Sequence, residues 1–251
     1  MPADEIGPAE GGSRVDLVIG NVKRLIAAGE LSAGDRLPIE KDLAERWGVS
    51  RGSLREGVRA LATLGVLETR QGDGTYVTDL DPDALLRPLG FFADLQGTAQ
   101  AADLLAVRRV LEAESVALAA RALTDDQIDG LEAILAPIDV LVADGSVDPE
   151  DFIDADMRFH QLISRASGNP ALAALIDGLM TRTFRGRLWR AITERDSVGV
   201  AHAEHRLILD ALRQRDPERA RIRMLSHLLG VEEFAAAHAP ADDASASPAA
   251  E

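Results

Sequence analysis

The chain has 251 residues, 46% of them hydrophobic and 27% charged, with a formal net charge of −15 and no cysteine. That balance suits a globular protein with room for two modest cores. It excludes disulfide staples and thiolate metal sites, and no apolar run approaches the ~20 residues needed to span a bilayer.

The charge is unevenly spread. Residues 14–78 hold ten Lys/Arg against nine Asp/Glu, residues 1–13 hold three acids and no base, and residues 79–251 carry 17 bases against 30 acids. An acidic second part repels a phosphate backbone, which leaves the first part as the only plausible nucleic-acid face. The leading MPADEIGPAEGG is acidic and lacks the basic-then-apolar pattern of a secretory signal, so the expected compartment is the cytoplasm.

Residues 1–13, rich in Pro, Gly and acid, read as disordered. Ser13 is placed to cap a helix through RVDLVIGNVKRLIAAG, where Val15, Val18, Ile19, Val22, Leu25 and Ile26 recur at helical spacing. A turn to Pro38 precedes a short helix in IEKDLAERW that Gly48 stops, and Ser50 caps a third, RGSLREGVRALATL. VLETR and TYVTD are strand-like and joined by QGDG, a hairpin turn. Three helices and a hairpin over 14–78 form a winged helix-turn-helix pattern. Residues 79–97 read as a linker and a first helix near 83–94. Ala/Leu-rich amphipathic helices follow near 98–122, 124–143, 149–167, 170–190, 197–214 and 216–237, and 238–251 is a low-complexity tail. The predicted fold is mainly α: a winged helix-turn-helix, then an all-α bundle of about seven helices in an effector and dimerisation domain, 98–237.

The second helix of a helix-turn-helix enters the major groove and offers its N-terminal side chains to base edges. Arg51 and Arg55, four apart at the start of the third helix, share a face, and Arg pairs bidentately with guanine. Helix-start amides with Ser50 or Ser53 can hold phosphate, Lys41 lies near the backbone, and Gly72 and Gly74 let the wing approach closely. The alternative on these residues alone is an ordinary surface helix whose arginines pair with Glu40, Glu45 and Glu56. The order G-D-x-L-P, an acidic-basic helix, G-V-S-R, L-R-E and G-x-G-T-x-V, all within 34–77, closely resembles the winged-helix domain of the GntR family of bacterial regulators. The resemblance implies that Lys41, Arg51, Arg55 and Gly72 sit where members touch the operator. Two positions depart: Ile39 replaces the usual Ser or Thr cap, and Lys41 stands where Arg is common.

Five histidines, His160, His202, His205, His227 and His238, all lie in the second part. Asp156 and His160 are four apart and share a helical face, while His205 and His227 sit beside apolar positions facing a core. One carboxylate and three imidazoles from three helices can converge in a bundle. Alternatively, the histidines are scattered over surfaces or singly bonded in the core, and His202 competes with His205. The donor set suits Zn²⁺, Mn²⁺, Fe²⁺ or Ni²⁺, and an octahedral ion would keep two positions open. Asp-x3-His, a His 45 residues later and another after 22 more, with AVRRVLEAESVALAA, DMRFHQLISRASGN and ERARIRMLSHL, resembles the FCD effector domain of the FadR-type branch. That resemblance implies one divalent ion on Asp156, His160, His205 and His227, and seven helices group the domain with FadR. Ligation is expected to weaken below about pH 6, as imidazoles protonate near their ordinary ~6.5.

A carboxylate effector needs a cationic partner besides the metal. The resemblance points Arg108 into the cavity, with Arg109 one step round the helix and Glu112 free to pair with either. Of the arginines in TRTFRGRLWR, Arg182 or Arg185 is expected to line the pocket, with Trp189 as core or cavity wall. The expected function is a ligand-responsive transcription regulator, a repressor, binding palindromic DNA as a homodimer and sensing a small carboxylate or sugar acid. Two alternatives stand beside it: a metal-dependent enzyme acting on small carboxylates, and a regulator whose metal is purely structural. A charged bundle centre argues against a fatty acyl-CoA sensor.

Overall fold

A computed structural model of the chain describes residues 13–82, 84, 101–194 and 196–238, the side chains of residues 101, 182 and 185 excepted. The expected helix at 83–94, the acidic residues 1–12 and the tail from 239 lie outside the described residues, and so does the seven-helix grouping with FadR. The chain divides into two compact units, residues 1–88 and 89–251.

In the first unit, helix α1 (Arg14–Ala27) opens with the capping box Ser13 predicts. The Asp16 amide donates to Ser13 Oγ at 3.1 Å, and the Ser13 amide donates to Asp16 Oδ2 at 2.8 Å. Helix α2 (Glu40–Trp47) has Ile39 at its N-cap with no side-chain hydrogen bond, as that departure from the family pattern implies. It ends on Gly48 at φ 63°, the left-handed conformation glycine adopts without strain. Helix α3 (Arg51–Thr63) is capped by Ser50, whose Oγ accepts from the Ser53 amide at 3.0 Å. Strands β1 (Leu67–Arg70) and β2 (Gly74–Val77) pair antiparallel with Leu67 opposite Val77 and Arg70 opposite Gly74. Val18, Val22 and Leu25 of α1 meet Leu43, Leu54, Val58 and Leu61, and the hairpin closes this core with Leu67 and Val77.

Six helices are described in the second unit: α4 (Ala101–Ala122), α5 (Asp125–Ala143), α6 (Pro149–Ala166), α7 (Pro170–Thr193), α8 (Ser197–Arg213) and α9 (Pro217–Ala237). Their starts follow local chemistry. Thr124 forms a capping box with Gln127, while Asp148, Asn169 and Asp216 each cap a helix whose first residue is proline. The long α4 packs along α9, and α7 lies against α4 and α6. Val116, Ala120, Leu131, Leu135, Phe159, Ile163, Ile208, Leu212 and Met224 belong to one core drawn from five of the helices. The four-residue spacings that bury these positions also turn Asp156, His160, His205 and His227 inward.

Two glycines of α3 give opposite expectations. A Cβ on Gly57 would stand 2.5 Å from Val18 Cγ1 and 2.7 Å from Val18 Cβ, so α1 and α3 approach through a missing side chain. Gly52 would meet only Ser50 Oγ, at an ordinary 3.6 Å. Gly57→Ala should therefore lower stability by ~1–3 kcal/mol through overpacking. Gly52→Ala should be neutral or stabilising by up to about 1 kcal/mol. Urea unfolding followed at Trp47, with Trp189→Phe as background, compares them, and equal midpoints would show that this close approach does not exist.

Candidate functional site

Asp156 and His160 project from α6, His205 from α8 and His227 from α9, and all four are buried. One ligand atom from each lies within 4.8 Å of the others. His205 Nε2 is 3.2 Å from His227 Nε2 and 3.3 Å from Asp156 Oδ1, while His160 Nε2 is 3.7 Å from the same oxygen. His160 Nε2 has no hydrogen-bond partner among the described residues. Atoms bound to one ion at ~2.0–2.2 Å stand no more than ~4.4 Å apart, so small shifts close this set on a single point. Three nitrogens, one carboxylate oxygen and an unpartnered imidazole nitrogen fit a divalent borderline metal.

Two of the three outer nitrogens are held too, that of His205 having no hydrogen-bond partner among the described residues. Glu112 of α4 accepts at His160 Nδ1, and Glu204 takes His227 Nδ1 at 2.8 Å. Carboxylates on the far side of imidazoles orient the rings and direct Nε2 to the centre. Phe159 lies beneath, its ring 4.9 Å from that of His205 and 5.7 Å from that of His160, and keeps this side apolar.

Two arginines complete the network. Arg108, 0% exposed, donates from Nε to Glu112 Oε1, so Glu112 bridges Arg108 and His160. Arg187 donates from Nη1 to Asp156 Oδ2, which leaves Oδ1 facing the histidines. Arg187 was the arginine sequence reasoning passed over. Its signal was periodicity: it stands seven residues after buried Met180 and four after buried Thr183 on α7. The side chains of Arg182 and Arg185, the expected pair, lie outside the description.

Burial pushes all three histidines of the cluster below their ordinary pKa, His205 to about 4 with the neighbouring His227 adding to the effect. Burial alone would raise Glu112, but Arg108 and His160 outweigh it and hold the carboxyl at about 2. Burial is likewise overcome at Asp156, by Arg187 and the histidines, so that group stays far below its usual range. Neutral imidazoles and an ionised carboxylate are the forms a metal binds. The expected acid limit near pH 6 takes the imidazoles as ordinary; in the metal-free protein burial holds them neutral to lower pH.

Several other expectations find their places. His202 is buried but turned away, with Nε2 2.6 Å from Asp139 Oδ1, so His205 is the histidine that joins the cluster. Arg109 pairs with Glu232 at 2.6 Å. Trp189, expected as core or cavity wall, is instead 46% exposed and packs on Phe234 and His238. It stands two positions past inward-facing Arg187, a step of about 200° round the helix.

In the first unit, Lys41, Arg51 and Arg55 are all exposed. Arg55 Nε donates to Glu40 Oε2 at 2.8 Å, one of the pairings the surface-helix alternative anticipates. Such an exposed pair is worth ~0–1 kcal/mol, so a guanine edge can capture Arg55 at little cost. Ser50 and Ser53 lie at the helix start, their hydroxyls 3.0 Å apart. At the wing tip Gly72 holds φ 74° in open space. A Cβ on Gly74 would strike Arg36 Nε at 2.5 Å, and Arg36 reaches past it to the Asp73 carbonyl.

Comparison with known proteins places these two sites in context. Residues 15–77 match the family described as bacterial regulatory proteins, gntR family, and residues 103–230 match the FCD domain. The HTH-type transcriptional regulator LutR of Bacillus subtilis is 32% identical over 214 residues, 83% of this chain and 95% of its own length. The HTH-type transcriptional repressor NanR of Salmonella newport is 28% identical, covering 86% and 83%. Among solved structures, Streptococcus agalactiae GntR aligns with a TM-score of 0.61 and 31% identity over 87% of this chain and 99% of that one.

The depressed histidines set a pH signature for the second unit. Their unfolded forms take up protons from about pH 6.5 downward while the folded forms do not, so the unfolded state binds more protons and stability falls as the pH drops. For metal-free protein, the melting temperature reported by Trp189 fluorescence, with Trp47→Phe as background, should decline continuously from pH 6.5 toward 4. A flat profile across that interval would mean that the imidazoles are not buried as described.

Proposed function

The chain belongs to the gntR family of bacterial regulatory proteins and carries an FCD domain, and from that premise we propose that it is a repressor released or engaged by a small carboxylate. Membership makes it a transcription regulator, not an enzyme, and the metal-dependent enzyme alternative falls with it. The similarity to NanR, a transcriptional repressor, supports that direction of control. Among the described residues no helix is long and apolar enough to cross a membrane, in keeping with a cytoplasmic DNA-binding protein.

The winged helix binds operator DNA. Arg51 and Arg55 enter the major groove, Lys41 and the Ser50 and Ser53 end of α3 hold phosphate, and Gly72 lets the wing tip approach the backbone. One winged helix has too small a footprint for tight specific binding, so the chain acts as a homodimer on a palindromic site.

The observation that carries the sensing role is the convergence of Asp156, His160, His205 and His227 from three helices onto one buried point. These residues would hold one divalent ion (Zn, Mn, Fe or Ni), which supplies an electrophilic docking point for a carboxylate oxygen. Arg108, buried beside the cluster and tied to His160 through Glu112, binds the effector's negative charge. An effector held in this way bridges α4 and α7 to α6, α8 and α9, favouring one packing of the bundle. Its effect on operator affinity is limited to its differential affinity for the two states, typically ~1–3 kcal/mol.

The test begins by selecting an operator from random duplexes and titrating it at two salt concentrations. Arg55→Ala should lose ~1–3 kcal/mol and relax the preference at one base position, whereas Lys41→Ala should weaken all sequences alike and reduce the salt slope by about one. A set of hydroxy acids, sugar acids and dicarboxylates is then added with and without chelator. A metal-dependent, roughly 5–150-fold change in operator affinity is expected. Wild-type binding by both variants would refute the interface, and an effector response undiminished by metal removal would refute the sensing mechanism.

A further inference from the structure

Four charged side chains are buried at this centre: Arg108 at 0% exposure, Glu112 at 2%, and Asp156 and Arg187 at 5% each. The two guanidiniums converge on one stretch of α7. Arg108 Nη1 lies 3.5 Å from Thr183 Oγ1, and Arg187 Nη2 donates to the Met180 carbonyl at 3.0 Å. Each satisfies part of its fork on a carboxylate, yet Arg108 Nη2 and Arg187 Nε have no hydrogen-bond partner among the described residues. Buried charged donors left unpaired are costly, and two in one place mark a receptor for anionic oxygen.

Charge counting sharpens this. The two arginines are balanced by Glu112 and Asp156, so a divalent ion on the cluster would leave the buried centre with an excess of positive charge. Glu204 does not offset this fully, because its side chain is 31% exposed and water screens it. An uncompensated charge excess in a buried interior is strongly unfavourable. A monocarboxylate held at the cluster would leave a guanidinium nitrogen unmet. Building on the effector reading above, we propose that Arg108 and Arg187 form a paired guanidinium receptor, and that the effector is a short dicarboxylate with one carboxylate at the Asp156/His cluster and the other between the two arginines. The ligand is short because both arginines touch the cluster's own residues, Arg187 through Asp156 itself and Arg108 through the Glu112 that holds His160. Arg187 is the specificity-determining residue, since it provides the second anchor.

The test is titration calorimetry on full-length, metal-loaded protein with chain-matched probes: malonate against propionate, and succinate against butyrate. At least one dicarboxylate should bind wild type tenfold or more tightly than its monocarboxylate partner. Arg187→Gln, compared at equal metal content by mass spectrometry, should reduce that preference below threefold. Arg187→Lys, which keeps charge but loses the fork, should fall between and serves if the Gln variant does not fold. Equal binding of the members of both pairs by wild type would overturn the proposal while leaving carboxylate sensing intact, as would an undiminished preference in the Arg187 variants. If none of the four acids binds, the proposal fails, and the reading under Proposed function fails with it only if the wider set of hydroxy and sugar acids is also silent.

Discussion

The bundle depends on the carboxylate of Asp156 staying ionised while it is buried. An isolated buried carboxylate would take up a proton, and the ion pair with Arg187 is what prevents this. Because Arg187 occupies Oδ2, Oδ1 is left to the histidines, and because they are themselves held neutral by burial, four good donors face one point. Removing the arginine would strand a charge; removing the carboxylate would strand the arginine. Such a centre is weak as a source of stability and strong as a device for making helices from distant parts of the chain meet in one register.

The same logic extends outward. Glu112 is shared by Arg108 and His160, so an anion that drew on Arg108 would act on a residue that orients one ring of the histidine cluster. Binding and coordination are thereby mechanically adjacent without any long pathway. The winged helix is organised differently: an ordinary apolar core holds it, and its charges stand at the surface in weak, exchangeable pairs such as Arg55–Glu40. Strong buried pairs suit a sensor that must adopt a single arrangement. Weak exposed ones suit a reader that must trade protein partners for DNA.

Much of this was legible in the residues. Ser13, Ser50, Thr124 and Gly48 mark helix ends by local hydrogen-bonding and backbone chemistry, which needs no tertiary information, and each lies at the end it indicates. The spacing of Asp156 and His160 is likewise a local property of one helix. His205 was separable from His202 through the family resemblance, in which Glu-His is followed by an apolar face of Leu207, Ile208 and Leu212; Ile208 and Leu212 are buried on its side, whereas Leu207 is exposed. Arg187 was not legible in the same way, since four arginines in ten residues of α7 share similar neighbours. That Arg187 turns inward depends on the rotation of α7 against α4 and α6, and that rotation is set by packing across the bundle. Trp189 went astray for the same reason, as large apolar residues usually face a core, yet Arg187 already holds the inward side of that turn. The close approach of α1 and α3 at Gly57 was silent too, because a glycine within a helix does not reveal what passes over it.

The central claim is that the buried cluster carries an ion that ties α6, α8 and α9 together. Thermal unfolding of the full chain with Trp47→Phe isolates Trp189 as the reporter of the helical unit, the chain having two tryptophans. Metal-loaded and chelator-stripped samples are compared, with metal per chain determined by mass spectrometry. The account predicts about one ion per loaded chain and a clear fall in the Trp189 transition on stripping, since a ligand at a thousand times its dissociation constant stabilises by about 4 kcal/mol. The circular-dichroism transition of the isolated residues 13–82, should that fragment fold, should not move. A loaded sample with no bound ion, or a Trp189 transition unchanged when the ion is removed, would contradict it.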